Sequence, residues 1–495
     1  MEHMPADLDN SAAVSQAWAA LGGDPALLSR VTYESPGGGL LAARLPVLDA
    51  ARACAAVCAL AGAEHAARHP AVPRVHVDDG AVATAFVSER QLRVDGRAPT
   101  SFAPLSRFWR TADGWVRTHA NYPHHREALL RALGVPEERV GDELAARRAL
   151  DVEEAVYAAG GLAVALRTRA QWQAHAQGAA VAAHPLLTRE RLDETPPPAS
   201  GRPARARRAG LQSARARRAG FRVLDLTRVL AGPVATRTLA LLGADVLRID
   251  APQLPELADQ HADTGFGKRS ALLDLGRTAD RTTFDELLAE ADVVVTGYRP
   301  GALDRFGLSP EALAERRRGL VVAQVSAWGD YGPWAGRRGF DSLVQVGTGI
   351  ADAERPEPSG PPGALPAQAL DHGTGYLLAA AVLRSLTEQE ATGGTRLVRL
   401  ALAQTAHWLQ SLPREPVPER EAAPSGAPEP EAAPNGPYDP GVHLAETDSA
   451  LGRLRYALPP VTFEGSPVNW AHPPGRWGAD TPSWQPEEAG SQAVR

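Results

Sequence analysis

The alternation of short apolar strands with helical stretches between positions 221 and 328 constrains this chain more than any other feature. FRVLDL (221–226) is a strand-length apolar run. TRVLAGPVATRTLALLGA reads as a turn and then a helix, and DVLRID (245–250) is the next strand. SALLDL (270–275) is a third. A helix over ADRTTFDELLAEA (279–291) leads into DVVVTGY (292–298), and EALAERRRG leads into LVVAQVSAW (320–328). Strands and helices alternating at this spacing predict an α/β fold, a Rossmann-like doubly wound parallel sheet with crossover helices.

The chain has 495 residues, too many for one ordinary compact domain. Its formal net charge of -6 argues against a dedicated nucleic-acid binder. Lys268 is the only lysine; every other cationic side chain apart from the histidines is Arg. Cys54 and Cys58 stack one helical turn apart on an apolar stretch, which reads as two buried small hydrophobes and not as a metal pair. Residues 1–30 lack a basic segment before an apolar run, and no long uncharged stretch reads as membrane-spanning, so a cytoplasmic location with no membrane partner is expected.

Two biased stretches divide the chain. TPPPASGRPARARRAGLQSARARRAG (195–220) repeats ARARRAG and reads as a solvated Arg/Pro-rich linker. PREPVPEREAAPSGAPEPEAAPNGPYDPG (413–441) has almost no large apolar residues and reads as disordered. The expected units are an N-terminal half (1–195), the first linker (196–220), a Rossmann-like core (221–412), the second linker (413–441) and a closing segment with its tail (442–495). Residues 46–86 echo 369–409 in the order Leu-Asp, apolar helix, break, strand and small-residue tail, with Asp49 opposite Asp371. An internal duplication accounts for this, as do two unrelated helix-strand units. Asp49 lacks neighbouring glycines and is expected to be structural. His119, His124 and His125 lack the carboxylate or Cys that would complete a metal set, and small-domain packing or a helix surface suits them better.

Five segments, in order, carry a resemblance: RVLDLTRVLAGPVATRTLALLGADVLRIDAP, GKRSALLDL, ADVVVTGYRPGALDRFGL, GRRGFDSLVQVGTG and LDHGTGYLLAAAVL. Together they resemble the family III CoA-transferases, the CaiB/BaiF family. The resemblance implies a large Rossmann-like domain plus a smaller α+β domain. The small domain is missing after His407; DGWVRTHANYPHHREALLRALGVPEERV (113–140) and LAVALRTRAQWQAHAQGAAVAAHPLL (162–187) resemble it in the other half. SALGRLRYALPPVTFEGSP (449–467) resembles the family's closing segment. Members form interlocked homodimers, so either a homodimer or a pseudo-dimer fused within one chain is implied.

The resemblance places the carboxylate nucleophile at Asp371. The run Asp371-His372-Gly373-Thr374-Gly375 suits it: glycines permit close backbone approach, and a helix start offers N–H groups to developing charge. The competing reading of Asp371 is a helix N-cap. The implied reaction is acyl-CoA:carboxylate CoA transfer through an aspartyl-acyl anhydride and an aspartyl-CoA thioester, with coenzyme A or acyl-CoA as substrate, a small carboxylic acid as partner and no permanently bound cofactor or metal. The CoA positions implied are Arg228, Val229, Leu230 and Ala231 on the first loop, then Leu273, Tyr298, Arg305, Phe306 and Arg338, with Lys268 and Arg269 as a further basic pair. Each of these arginines also fits a solvated surface charge.

The chain departs from the family pattern at Ala251, a position that can be basic, and at Gly297, where Asn is common. Phe340 stands where the racemase branch has its His, which disfavours racemisation because Phe moves no proton. A non-catalytic CoA-binding paralogue is the alternative from another class.

Overall fold

The computed structural model describes residues 12–36, 39–67, 71–197, 220–357, 360–413 and 438–484. Its centre is a seven-stranded sheet of β1 (Leu187–Arg191), β2 (Arg222–Leu226), β3 (Asp245–Asp250), β4 (Lys268–Leu272), β5 (Val293–Thr296), β6 (Val321–Ser326) and β7 (Arg396–Ala401). The spatial order is β4-β3-β2-β5-β6-β7-β1. Six strands run parallel, and β1 closes the edge antiparallel to β7. Leaving out β1, this is the strand order of the doubly wound dinucleotide fold, whose direction reverses between β2 and β5. The sequence is written for burial on both faces. Val223, Val293, Val295 and Val321 point into one core, while their neighbours Leu224, Val294 and Val322 point into the other.

The third strand starts at Lys268, two residues earlier than the apolar run SALLDL predicts. The reason is electrostatic. The Lys268 ammonium is buried and donates to Asp225 Oδ2 (3.1 Å), the Pro233 carbonyl (2.9 Å) and Thr236 Oγ1 (2.5 Å), which holds this end of the strand in the ladder. Burial draws its pKa down to about 8, against the pull of Asp225. Lys268→Ala leaves Asp225 buried without its cation, and a loss of about 3–5 kcal/mol in unfolding free energy is expected, checked by denaturant titration.

Four helices matter for the site: α1 (Val47–Ala66), α2 (Ala231–Leu241), α3 (Asp341–Gly347) and α4 (Ala369–Thr392). α1 and α4 pack side by side in the largest core, and α2 packs on α4. Gly375 makes that approach possible: a Cβ there would lie 2.7 Å from the Ala231 carbonyl oxygen. Cys54 and Cys58 are both buried in α1 as free thiols. Both echoing segments have the order helix, strand, helix: α1 leads to Val75–Asp78 and Asp79–Ala85, and α4 leads to β7 and Leu402–Ser411.

A smaller α+β unit lies in the N-terminal half. Antiparallel strands Phe108–Arg110, Trp115–Thr118 and Ala163–Ala165 pack against helices Pro123–Leu133, Val140–Ala146 and Ala149–Ala158. Val116, Leu129, Leu144, Val152 and Val156 form its own core. The closing segment folds back across the chain: Gly452–Ala457 pairs with Leu444–Ser449 on one side and Arg93–Val94 on the other. Most of the two low-complexity stretches, 198–219 and 414–437, lies outside the described residues. Residues 438–441 of the stretch read as disordered are described, and there the Tyr438 hydroxyl donates to the Gly80 carbonyl at 2.6 Å. Among the described residues, no helix is long and apolar enough to cross a membrane.

Candidate active site

Asp371 lies in the first turn of α4, not before it. It is therefore neither an N-cap nor part of a glycine loop. Gln368 holds the cap position without a side-chain bond, and the capping charge comes from Asp341 at the start of α3. Asp341 Oδ2 accepts the N–H groups of Leu370 (2.8 Å) and Asp371 (3.0 Å), and its Oδ1 accepts from the Gln345 amide. The first-turn N–H groups expected to face a substrate are thus occupied in part by a carboxylate. The glycines are occupied too: Gly375 faces α2, and Gly373 faces Cys54 and Thr405.

This arrangement sets the charge of the site. Asp371 is 6% exposed, and among the described residues no protein donor reaches its carboxyl group. Burial holds Asp371 well above the usual carboxylate range, and the charges of Asp341 and Glu89 push the same way. Burial also raises Asp341, but the three bonds that it accepts oppose that rise. The pair is best described as one negative charge held on Asp341 and one proton held on Asp371.

Glu89 arrives from the N-terminal half. Burial would raise its carboxyl, yet it lies below the usual range because His372 Nε2 approaches its Oε2 at 3.1 Å. Its short helix is pinned by Ser88, whose hydroxyl donates to Asp263 (2.8 Å) and accepts from Arg237 (3.0 Å). Asp371 and Glu89 line one cleft with an open volume of about 620 Å³, together with His119, Val229, Leu230 and Phe340.

Two of the four first-loop positions reach this cleft. Val229 and Leu230 line the cleft. Val229 has φ 70°, in the left-handed region, which costs a β-branched residue ~1–3 kcal/mol. Its N–H donates to Glu256 Oε2 at 3.1 Å, and Arg228 packs over the Tyr122 ring at 5.0 Å and donates to the Pro255 carbonyl. Ala231 begins α2 and is nearly buried. Tyr298 follows β5 and lines a separate cavity at the carboxyl ends of β5, β6 and β7. Arg338 is exposed, and its charge and that of Arg228 both act on His124 and His125.

Other expected contacts are not brought to the cleft. Leu273 is 5% exposed and packs in a core beside the sheet. Lys268 uses all three ammonium donors inside the protein, which leaves none for a phosphate. Arg269 donates to Asp245 and to the Ser483 carbonyl, tying down the tail. Arg305 is exposed and stacks on Phe306 beside it, at 4.6 Å. Asp49 accepts from Arg52, which also holds Asp79, so its role in the structure is local packing.

Three cleft features escaped the sequence reading. Asp341 lay inside a quoted motif without being singled out, and Glu89 carries no local signal. His119 stacks on Phe340 at 3.9 Å between ring centroids, so an imidazole occupies the neighbourhood in which position 340 has none. Burial, then His125 and Arg117, keep His119 well below its ordinary pKa.

A doubly wound sheet with a buried carboxyl group in a cleft beside its switch-point loop defines an α/β protein of the Rossmann-like class. The chain belongs to CoA-transferase family III, whose model matches residues 44–197 and 219–441. It is 35% identical over 205 residues to the probable fatty acyl-CoA transferase Rv3272 of Mycobacterium tuberculosis, covering 39% of this chain and 52% of that one. It is 34% identical over 194 residues to the formyl-CoA:oxalate CoA-transferase of Streptomyces coelicolor, covering 37% and 47%. A solved CaiB/BaiF family protein from Brucella suis matches at 26% identity with a TM-score of 0.36, covering 48% and 64%. The chain spans about half the length of the curated relatives it matches.

Proposed function

We propose that this protein is an acyl-CoA:carboxylate CoA-transferase in which Asp371 is the nucleophile. The observation that carries this reading is a buried carboxyl group, open to a cleft, with a second carboxylate positioned to set its protonation. Names of relatives such as the formyl-CoA:oxalate CoA-transferase support the same reaction class.

The ionised Asp371 attacks the thioester carbonyl of the donor. The C–S bond breaks, CoA leaves as thiolate, and an acyl-aspartyl anhydride remains. The thiolate then attacks the aspartyl carbonyl of that anhydride. The C–O bond breaks, the donor acid leaves as carboxylate, and Asp371 carries CoA as a thioester. The acceptor carboxylate runs the same steps in reverse, which releases acceptor acyl-CoA and restores the Asp371 carboxylate. No proton is gained or lost across the cycle.

The proton on Asp371 in the empty cleft gives the reaction an acid limb. Asp341→Asn removes the neighbouring negative charge, so the acid limb of kcat/KM is expected to move to lower pH. Above that limb the rate is expected to fall about tenfold or more, because the α4 N–H groups lose a charged acceptor. A pH–rate profile of the two proteins checks both signs.

The direct test incubates the protein with acyl-CoAs, traps with hydroxylamine or borohydride, and maps the product by mass spectrometry. An adduct on Asp371 is expected, as the hydroxamate or the reduced side chain. CoA binding without any adduct would instead favour a non-catalytic CoA-binding paralogue. His119 favours one second reading, proton exchange at the acyl α-carbon; deuterium uptake from solvent into a recovered acyl-CoA checks it.

A further inference from the structure

Beside the Asp371 cleft lies a second, open chamber, with an open volume of about 750 Å³. The two spaces share Arg90, Phe102, Ser342 and Gln368 along their common wall. The chamber wall also carries Arg107 and Arg117, and no acidic residue lines it.

Arg117 is the unusual group. It lies on the central strand of the small domain, Trp115–Thr118, where alternation turns Val116 into the small core and Arg117 away from it. It is 9% exposed. Its guanidinium lies over the rings of Phe102 (5.0 Å) and Phe108 (4.8 Å). Among the described residues no carboxylate pairs with it, and its Nε is buried with no hydrogen-bond partner. Burial draws the group down to about 10, with Asp341 pulling it back up, so it remains a cation at neutral pH. Ser342, in the wall between the two spaces, also has a buried hydroxyl without a partner. A buried cation without a counter-ion is costly, whereas a planar guanidinium oriented by two rings suits bidentate recognition of a carboxylate.

From this geometry we infer that the chamber is a subsite for a second carboxylate, carried by the acyl group or acid that reacts at Asp371. Resting on the proposed CoA-transferase reading, it names the substrate class as dicarboxylic acids and their mono-CoA thioesters. One carboxyl group meets Asp371; the distal one passes the Ser342–Gln368 wall and pairs with Arg117. The other anion available in such a site is a CoA phosphate. A phosphate is separated from the thioester by the whole pantetheine arm, whereas the distal carboxylate of a short dicarboxylic acid is only a few carbons from the reacting carbon. Position beside the Asp371 cleft therefore favours the carboxylate.

The test compares adduct formation at Asp371 from succinyl-CoA and from butyryl-CoA, in wild type, Arg117→Gln and Arg117→Lys, with circular dichroism to confirm folding. The succinyl-to-butyryl ratio of labelling rates is expected to fall about 30-fold or more in Arg117→Gln and to recover in part in Arg117→Lys. An unchanged ratio would overturn the proposal: rates falling together would assign Arg117 to a CoA phosphate or to folding, and rates unaffected would leave it no ligand. If neither thioester labels wild type, the transferase reading itself has failed. Calorimetry with free succinate and butyrate then decides the subsite alone. Tighter binding of succinate that vanishes in Arg117→Gln supports it; equal binding by wild type overturns it.

Discussion

Asp371→Asn is expected to lower CoA transfer by about 10⁴-fold or more while making the folded protein more stable at alkaline pH. The first effect follows from removing the atom that carries every covalent step; loss of a nucleophile elsewhere has effects of this order. The second follows from linkage. Burial, with Asp341 and Glu89, raises the Asp371 carboxyl in the folded protein. The folded state therefore holds that proton more tightly than the unfolded chain does. The resulting stabilisation is complete below the unfolded carboxyl value of about 3.9 and is lost as pH rises through the folded value. Asn carries no such penalty. Its melting temperature is expected to exceed that of wild type at pH 8, by on the order of 3 °C, and to lose that advantage near pH 4. Calorimetric scans at the two pH values, beside the transfer assay, check both arms. A loss of activity with a melting temperature below wild type at pH 8 would mean that Asp371 is chiefly a structural residue.

Residues 1–197 and 220–495, produced as separate chains, are expected to be insoluble alone and to form a one-to-one complex when co-expressed. α1 buries 14 of its 20 residues and α4 buries 18 of its 24, largely against one another. A helix apolar all round has no face to offer water. Three further connections cross between the pieces. β1 adds to the sheet edge at β7, Gly452–Ala457 pairs with Arg93–Val94, and Arg384 on α4 bonds Glu64 on α1. Co-purification through a tag on one piece checks the prediction; two soluble, non-associating pieces would contradict it. The N- and C-terminal pieces of this chain thus pack together through α1 and α4, two strand pairings and an ion pair. For the number of chains in solution we propose the fused pseudo-dimer, a monomer by mass.

The Rossmann-like core was legible because its physics is local. Val-rich runs bounded by Asp and Gly, separated by helix-length amphipathic stretches, specify buried parallel strands, and the observed β2, β3, β5 and β6 fall within two residues of the expected bounds. The motif singles out Asp371 as a candidate, but the conformation around it was not legible. Asp-His-Gly-Thr-Gly has loop-forming composition, and it is helical because Gly375 lets α4 press against α2 and because Asp341, 30 residues earlier, accepts the first-turn N–H groups. The expected phosphate role of Lys268 failed for a related reason: its partners Asp225 and Thr236 come from β2 and α2, and only folding shows that they use its donors.

The amino-acid sequence by itself determined the class of sheet, the family and the position of the candidate nucleophile, since each is written in contiguous segments with their own periodicity. Only the tertiary structure decided what surrounds that nucleophile. Glu89, Arg117 and His119 come from the N-terminal half, about 250 to 280 residues away from Asp371 along the chain, and no local pattern links them. Their charges meet in a low-dielectric cleft, where proximity sets protonation and leaves a cation in want of a ligand. Proximity of that kind is a property of the packed chain, because it exists only after the two halves have excluded water together.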